Sequence, residues 1–193
     1  MKLDVRPLTP DRWTDLETIF KARGCSVARG CWCMFYRRRG SQPALPGVRR
    51  AEQNRRELQA LVDEGTSPGL MGYRDGVPIG WISLGPREQY LKLARSPVMK
   101  PVDEKPVWSI VCFVVPAAHR GQGVAAALLA GAIAWAKKRD IRLLEAYPVD
   151  KQGTLREDSL WFGKASMFER AGFSEVARRK KTRPVVRKRL RGR

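Results

Sequence analysis

The residues whose types and spacing best suit chemistry are Arg120-Gly121-Gln122-Gly123-Val124-Ala125. They stand between a nearly continuous apolar and β-branched run, residues 107–115, and an alanine- and leucine-rich stretch, residues 126–138. Strand, glycine-bearing turn and helix together make an anion site: small residues let backbone N–H groups approach a phosphate, and the helix N-terminus adds partial positive charge. Two common phosphate fingerprints do not fit. No Gly-x-x-x-x-Gly-Lys-Ser/Thr loop is present, and the third glycine of a dinucleotide turn is replaced by Ala126, although Glu145 follows about 20 residues later. The other candidate group is Cys25, Cys31, Cys33 and Cys112, with His119 as the single histidine. Cys25-x5-Cys31-x-Cys33 departs from the Cys-x2–4-Cys pairs typical of zinc, so no metal is expected and buried, inert thiols are the default reading.

The elements that must position these residues alternate between strand and helix. Residues 2–7 read as a strand. Thr9-Pro10-Asp11 then caps a helix carrying Trp13, Leu16, Ile19 and Phe20, closed at Gly24. Residues 25–46 hold the aromatic run Cys31-Trp32-Cys33-Met34-Phe35-Tyr36 and then a Gly/Ser/Pro-rich loop; a second helix is expected over 48–64. Residues 70–73 and 77–82 form a hairpin through Asp75-Gly76, the second strand stopping at Gly85-Pro86. Residues 87–93 read as a short helix or structured loop, and proline at 97, 101 and 106 makes 94–106 a mobile connection. The run 107–115 has the pattern of a strand buried on both faces, at the centre of the sheet. A helix over 126–138, a strand over 142–147, a helix over 159–171 and strands from 174 onward complete the chain.

Composition bounds the rest. With 193 residues and 43% hydrophobic content the chain suits one globular domain. Charged residues interrupt every apolar run, which excludes a membrane span, and no apolar leader core stands at the start, so a cytoplasmic location with reduced thiols is expected. The formal net charge of +19 points first to polyanions. Ten basic residues and no acid lie in 178–193, so more than half of the excess is in one C-terminal segment. Such a block reads either as a solvated, partly disordered end or as an arm for RNA or DNA.

Arg120-Gly121-Gln122-Gly123-Val124-Ala125 resembles motif A of the GNAT superfamily of N-acetyltransferases, Arg/Gln-x-x-Gly-x-Gly/Ala. Ala165-Ser166-Met167-Phe168-Glu169-Arg170-Ala171-Gly172-Phe173 resembles that family's later helix ending in Gly-Phe, and the element order is similar across nearly the whole chain. The Cys-Trp-Cys-Met segment, with Gly80-Trp81-Ile82-Ser83 and Glu145-Ala146-Tyr147-Pro148, is similar to a bacterial branch of the superfamily whose function is loosely defined. The resemblance implies an α/β (α+β) fold over residues 1–193: a mixed, mostly antiparallel sheet with helices on both faces and splayed central strands.

It also implies acetyl-CoA as co-substrate. The pyrophosphate would rest on the turn Arg120, Gly121, Gln122, Gly123, Val124, Ala125 and Ala126, and the pantetheine would add beside Phe113, Val114 and Val115, with an amide near Val114 as oxyanion donor. A primary amine would attack the thioester directly. The family's usual tyrosine proton donor falls at Phe168, which has no hydroxyl, so either water or Tyr147 protonates the leaving thiolate. Glu145 and Glu88 are the candidate general bases, each equally readable as a surface or packing carboxylate. Cys31, Cys33 or Cys112 would then line the acceptor pocket, if they are not simply core. Trp32, Phe35, Tyr36, Trp81 and Tyr90 are open to the same two readings. Arg37, Arg38, Arg39, Arg49, Arg50, Arg55 and Arg56 favour an acceptor that is anionic or attached to an anion. The alternative function is a nucleic-acid- or ribosome-associated protein using its basic end, with or without acetyl transfer; a homodimer is compatible with either.

Overall fold

A computed structural model describes residues 3–38, 44–150 and 161–190. Expectations touching Lys2, Arg39, residues 159–160, Arg191 and Arg193 lie outside them. The strands β1 (Asp4–Pro7), β2 (Gly69–Arg74), β3 (Val77–Pro86), β4 (Trp108–Val114), β5 (Leu143–Ala146), β6 (Ser174–Lys180) and β7 (Arg183–Arg189) form one sheet in the order β1-β2-β3-β4-β5-β7-β6. Only β4 and β5 run parallel. The apolar run expected at the centre is the fourth of the seven strands.

Local chemistry accounts for the hairpin: Asp75 and Gly76 have φ of 50° and 78°, the two consecutive positive values that a tight turn matched to strand twist requires. Strand β3 runs through Gly85 and Pro86, past its expected stop, because Pro86 comes at the strand's last position, opposite Trp108.

Side-chain alternation along β2 and β3 divides the core between two faces. Leu70 and Ile82 pack with Leu128, Leu129 and Phe168, from α5 (Val124–Lys137) and α6 (Ala165–Arg170). Met71 and Trp81 point the other way, towards α1 (Trp13–Lys21), α2 (Ser26–Cys31) and α3 (Arg50–Asp63), where Leu16, Phe20, Trp32 and Leu58 cover them. Each such fully buried side chain contributes roughly 1.5–3 kcal/mol of transfer free energy. Helix α5 lies close on the sheet because Gly72 and Gly80 leave room for Leu128; a Cβ at either would approach it to 2.7 or 2.9 Å.

Two expectations change. The basic C-terminal segment is not a solvated tail: through Leu190 it finishes β6 and supplies β7, which lies inside the sheet between β5 and β6. Val185 and Val186 are buried, and the cations beside them have partners: Arg187 pairs with Glu145 and Asp103, Arg183 with the Tyr147 carbonyl, Arg178 with Glu175 and Asp150. The connection expected to be mobile, 94–106, is tied to the same strands. After α4 (Leu91–Ala94) it has no regular element, yet Arg179 bonds the carbonyls of Val98, Lys100 and Pro101, and Met99 and Val102 pack near Val185. No described helix is long and apolar enough to cross a membrane.

What matters most for the site is how β4 leaves β5. Their pairing covers only Trp108, Ser109 and Ile110. Opposite β3, Ser83 pairs with Cys112 and Leu84 with Ile110, so Val111 is the extra residue of a β-bulge. A bulge bends its strand and sharpens its twist. Beyond it β4 continues to Val114 against β3 alone, and its other edge opens into a cleft.

Candidate active site

A cavity of about 1230 Å³ occupies that cleft. Its floor is residues 111–115, its far end the turn before α5, and its remaining walls come from α2, residues 31–38, the start of α3, Lys92 and residues 161–170.

At the far end Gly121 and Gly123 have φ of 71° and 77°, a left-handed conformation costing a side-chain-bearing residue about 1–2 kcal/mol. A Cβ at either would meet nothing within 4 Å, so the space above both is open. Gly123 caps α5, whose intrahelical bonding begins with the Ala127 amide on the Gly123 carbonyl. The amides of residues 124–126 thus have no partner in the helix and carry its positive dipole end. Among the ten residues expected to hold a cofactor, Phe113, Val114, Val115, Arg120, Gly121, Gly123, Val124, Ala125 and Ala126 line the cavity. Gln122 does not: its side chain donates to the Ala118 carbonyl and accepts from Arg74. The Arg120 guanidinium bonds the carbonyls of Val115 and Gly24, joining the turn to the chain after α1.

Along the floor, the Phe113 amide points into the cleft and donates to the Trp161 carbonyl at 2.6 Å. Strand alternation turns the Val114 amide the other way, towards Trp81 on β3. Near Val114, where an oxyanion donor is expected, the amide on the cleft side is that of Phe113.

All four cysteines reach the cavity wall. Trp32 and Cys33 sit consecutively at φ of 47° and 52°, a strained pair that follows α2 and turns the Cys33 sulfur to within 3.3 Å of the Trp81 indole nitrogen, which donates to it. A hydrogen bond from Cys112 lowers the Cys33 pKa and raises that of Cys112. Burial, then the neighbouring Cys33, pushes Cys31 up to about 11. Tyr36, held protonated by burial with a pKa of about 12, is a cavity-lining hydroxyl. No group of three or more His, Cys, Asp or Glu suited to a metal occurs among the described residues.

The expected acid-base residues are elsewhere. Glu145 and Tyr147 are fully buried, and neither lines the cavity. Tyr147 donates to Glu145 at 2.6 Å and lies 3.0 Å from the Ser109 hydroxyl; Arg187 donates to the other Glu145 oxygen at 2.7 Å, with Arg87 at 3.6 Å. Burial, then the Glu145 charge, raises the Tyr147 pKa well above its ordinary value. Arg187 also bonds Asp103, holding that carboxyl down at about 2. Residues so paired brace β5 against β7. Glu88 is exposed in the 3-10 turn after β3, also outside the lining. Phe168 is core, edge-on to Phe113 and Phe173.

No described Asp or Glu lines the cavity, while Arg38, Arg50, Lys92, Arg120, Lys164 and Arg170 do. Asn54 lies among them, and a reading based on residue type overlooked it. Its signal was periodicity: Asn54, Leu58 and Val62 form the buried stripe of α3, so a polar residue occupies an otherwise apolar position.

The sequence matches the family model of the acetyltransferase (GNAT) family over residues 33–155. The chain belongs to the GNAT family. This GNAT acetyltransferase has the family's fold, and solved structures align with it over nearly its full length. An acetyltransferase from Thermus thermophilus is 16% identical, with 98% of each chain covered and a TM-score of 0.55. A ribosomal-protein-alanine N-acetyltransferase from Brucella melitensis is 19% identical over 97% of this chain and 100% of its own, at 0.53. The PaiA N-acetyltransferase from Thermoplasma acidophilum, solved with coenzyme A, is 18% identical over 98% and 100%, at 0.50. No curated protein matches the sequence significantly.

Proposed function

We propose that this GNAT protein is a single-domain, acetyl-CoA-dependent N-acetyltransferase that passes the acetyl group directly to a primary amine. The observation that carries this is the open edge of β4, created by the Val111 bulge, running straight into the glycine turn at the start of α5. The amides of residues 121 and 123–126 hold the pyrophosphate, and Phe113 to Val115 offer the pantetheine an edge that β5 does not cover. Acetyl-CoA supplies the thioester. Binding exchanges the Phe113–Trp161 hydrogen bond for one to the ligand, and an amide of Phe113 or Val115 stabilises the oxyanion.

The amine nitrogen forms its bond to the carbonyl carbon as the carbon–sulfur bond breaks, and the amine proton ends on the CoA sulfur. With Glu145, Tyr147 and Glu88 outside the lining, the described lining holds no carboxylate base. Arg38, Arg50 and Lys92 instead lower the pKa of an acceptor ammonium, raising the share of neutral, nucleophilic amine. Tyr36 hydrogen-bonds the departing thiolate. A phenol near pKa 12 does not yield its proton to a thiolate whose conjugate acid is near about 8.5, so Tyr36 steadies the sulfur while the proton comes from the amine.

Calorimetry with acetyl-CoA tests the reading. Binding in the micromolar to low millimolar range is expected, and Gly123→Trp, which fills the cradle and strains a left-handed residue, should abolish it with the fold retained by circular dichroism. Undiminished affinity in that variant would overturn the assignment. A nucleic-acid role loses its free arm because residues 178–180 belong to β6 and 183–189 form β7, and the comparisons lend no support to an RNA partner or a homodimer.

A further inference from the structure

Where α3 packs on α2, the cavity wall turns polar. Asn54 is 5% exposed, its amide nitrogen donating to the Gly30 carbonyl at 2.8 Å. That bond fixes the orientation of the amide, and the Asn54 Oδ1 is left buried with no hydrogen-bond partner. A buried acceptor without a donor costs roughly 1–3 kcal/mol, a penalty that a bound N–H or O–H removes. Arg38 also lines this wall. Its terminal nitrogen is held by Glu57 at 2.6 Å, yet its Nε is buried and unpartnered. Arg50, one helical turn before Asn54, lines the same space. Lys92 does too, its ammonium 3.7 Å from the centroid of the half-exposed Phe35 ring. Glu57 pairs with Arg38, and no described Asp or Glu lines the cavity itself.

We infer that the acceptor is an amine that also carries an oxyanion, the anion taken by Arg38 and Lys92 and an N–H taken by Asn54 Oδ1, with Asn54 as a specificity-determining residue. This rests on the acetyltransferase reading above. Two oxyanions share the required chemistry, a carboxylate and a phosphate, because a guanidinium donates to both. Amines with several positive charges are selected against by repulsion and by the absence of a carboxylate in the described lining.

The test is calorimetric titration of the full chain saturated with coenzyme A, using two matched pairs: phenylalanine against phenethylamine, and O-phosphoethanolamine against ethanolamine. At least one oxyanion-bearing probe is expected to bind about 10-fold or more tightly than its partner, the scale of one charge-assisted hydrogen bond; which pair shows it distinguishes carboxylate from phosphate. Asn54→Leu should weaken that probe about 10-fold or more with coenzyme A affinity unchanged. Asn54→Asp, of the same shape but adding a negative charge, should reverse the preference within the pair. Equal affinities within both pairs, tighter binding of the uncharged-tail amines, or no binding by either anionic probe overturns the inference and leaves the acetyltransferase reading standing. Failure of coenzyme A itself to bind overturns that reading and this one with it.

Discussion

Single residues in this molecule carry roles that their types only half disclose. Glu145 and Tyr147 have the chemistry of an acid-base pair, but the pair is consumed structurally, buried outside the cavity lining and locked to Ser109 and Arg187. Glu145→Gln should therefore destabilise strongly, by about 3–5 kcal/mol, because it removes the fully buried negative charge facing Arg187 and Arg87 and leaves Asp103 alone to balance them. Thermal unfolding would register that loss, while acetyl-CoA affinity per folded molecule should stay within a factor of two; a selective loss of turnover at unchanged stability would restore Glu145 to catalysis. The cysteines show the converse, since residues expected to be inert core line the cavity. With its thiol pushed up to about 11, Cys31 should alkylate slowly with iodoacetamide at pH 7.5. The rate should climb steadily with pH towards 11, and acetyl-CoA should suppress it. Peptide mapping of the alkylated protein would check this, and a plateau near pH 9 would show that the thiol is not so protected.

At the scale of elements, the decisive one is a strand that pairs on one side only for part of its length. Strand β4 was readable as central from its apolar run, but the bulge at Val111 was not, because a bulge depends on register against Ser83 and Leu84. Pairing with β5 stops within one residue of it, so the cleft is made where the ladder fails. Removing Val111, which restores regular pairing between β3 and β4, should close the splay. The deletion variant should then lose acetyl-CoA binding, measured by calorimetry, while keeping a native-like far-ultraviolet spectrum. The glycine turn is the opposite case: positive φ at Gly121 and Gly123 follows from residue type, and the motif was fully legible.

For the whole molecule, the net charge of +19 has been redistributed in meaning. Much of the C-terminal share is engaged internally, by Arg178, Arg183 and Arg187, and another share faces the cavity. Deleting residues 178–193 should not merely remove an arm. It takes β7 from between β5 and β6 and uncovers Glu145, so the truncated chain should fail to fold, as seen by loss of cooperative thermal unfolding. A truncated chain with full cooperativity would return the segment to the role of a tail.

The sequence by itself determined the fold class, the central strand, the hairpin at Asp75-Gly76 and the glycine turn before α5. Each of these depends on local periodicity or on backbone conformations that few residues tolerate. Tertiary structure alone decided which polar groups face the cavity. Asn54 enters it from α3 and Tyr36 from the segment after α2, whereas Glu145 on β5 is held outside it by Arg187 of β7. The physical reason is that a side chain's destination depends on the register and packing of elements far apart in the chain. Residue type sets what a group can do, and only the assembled sheet sets where it does it.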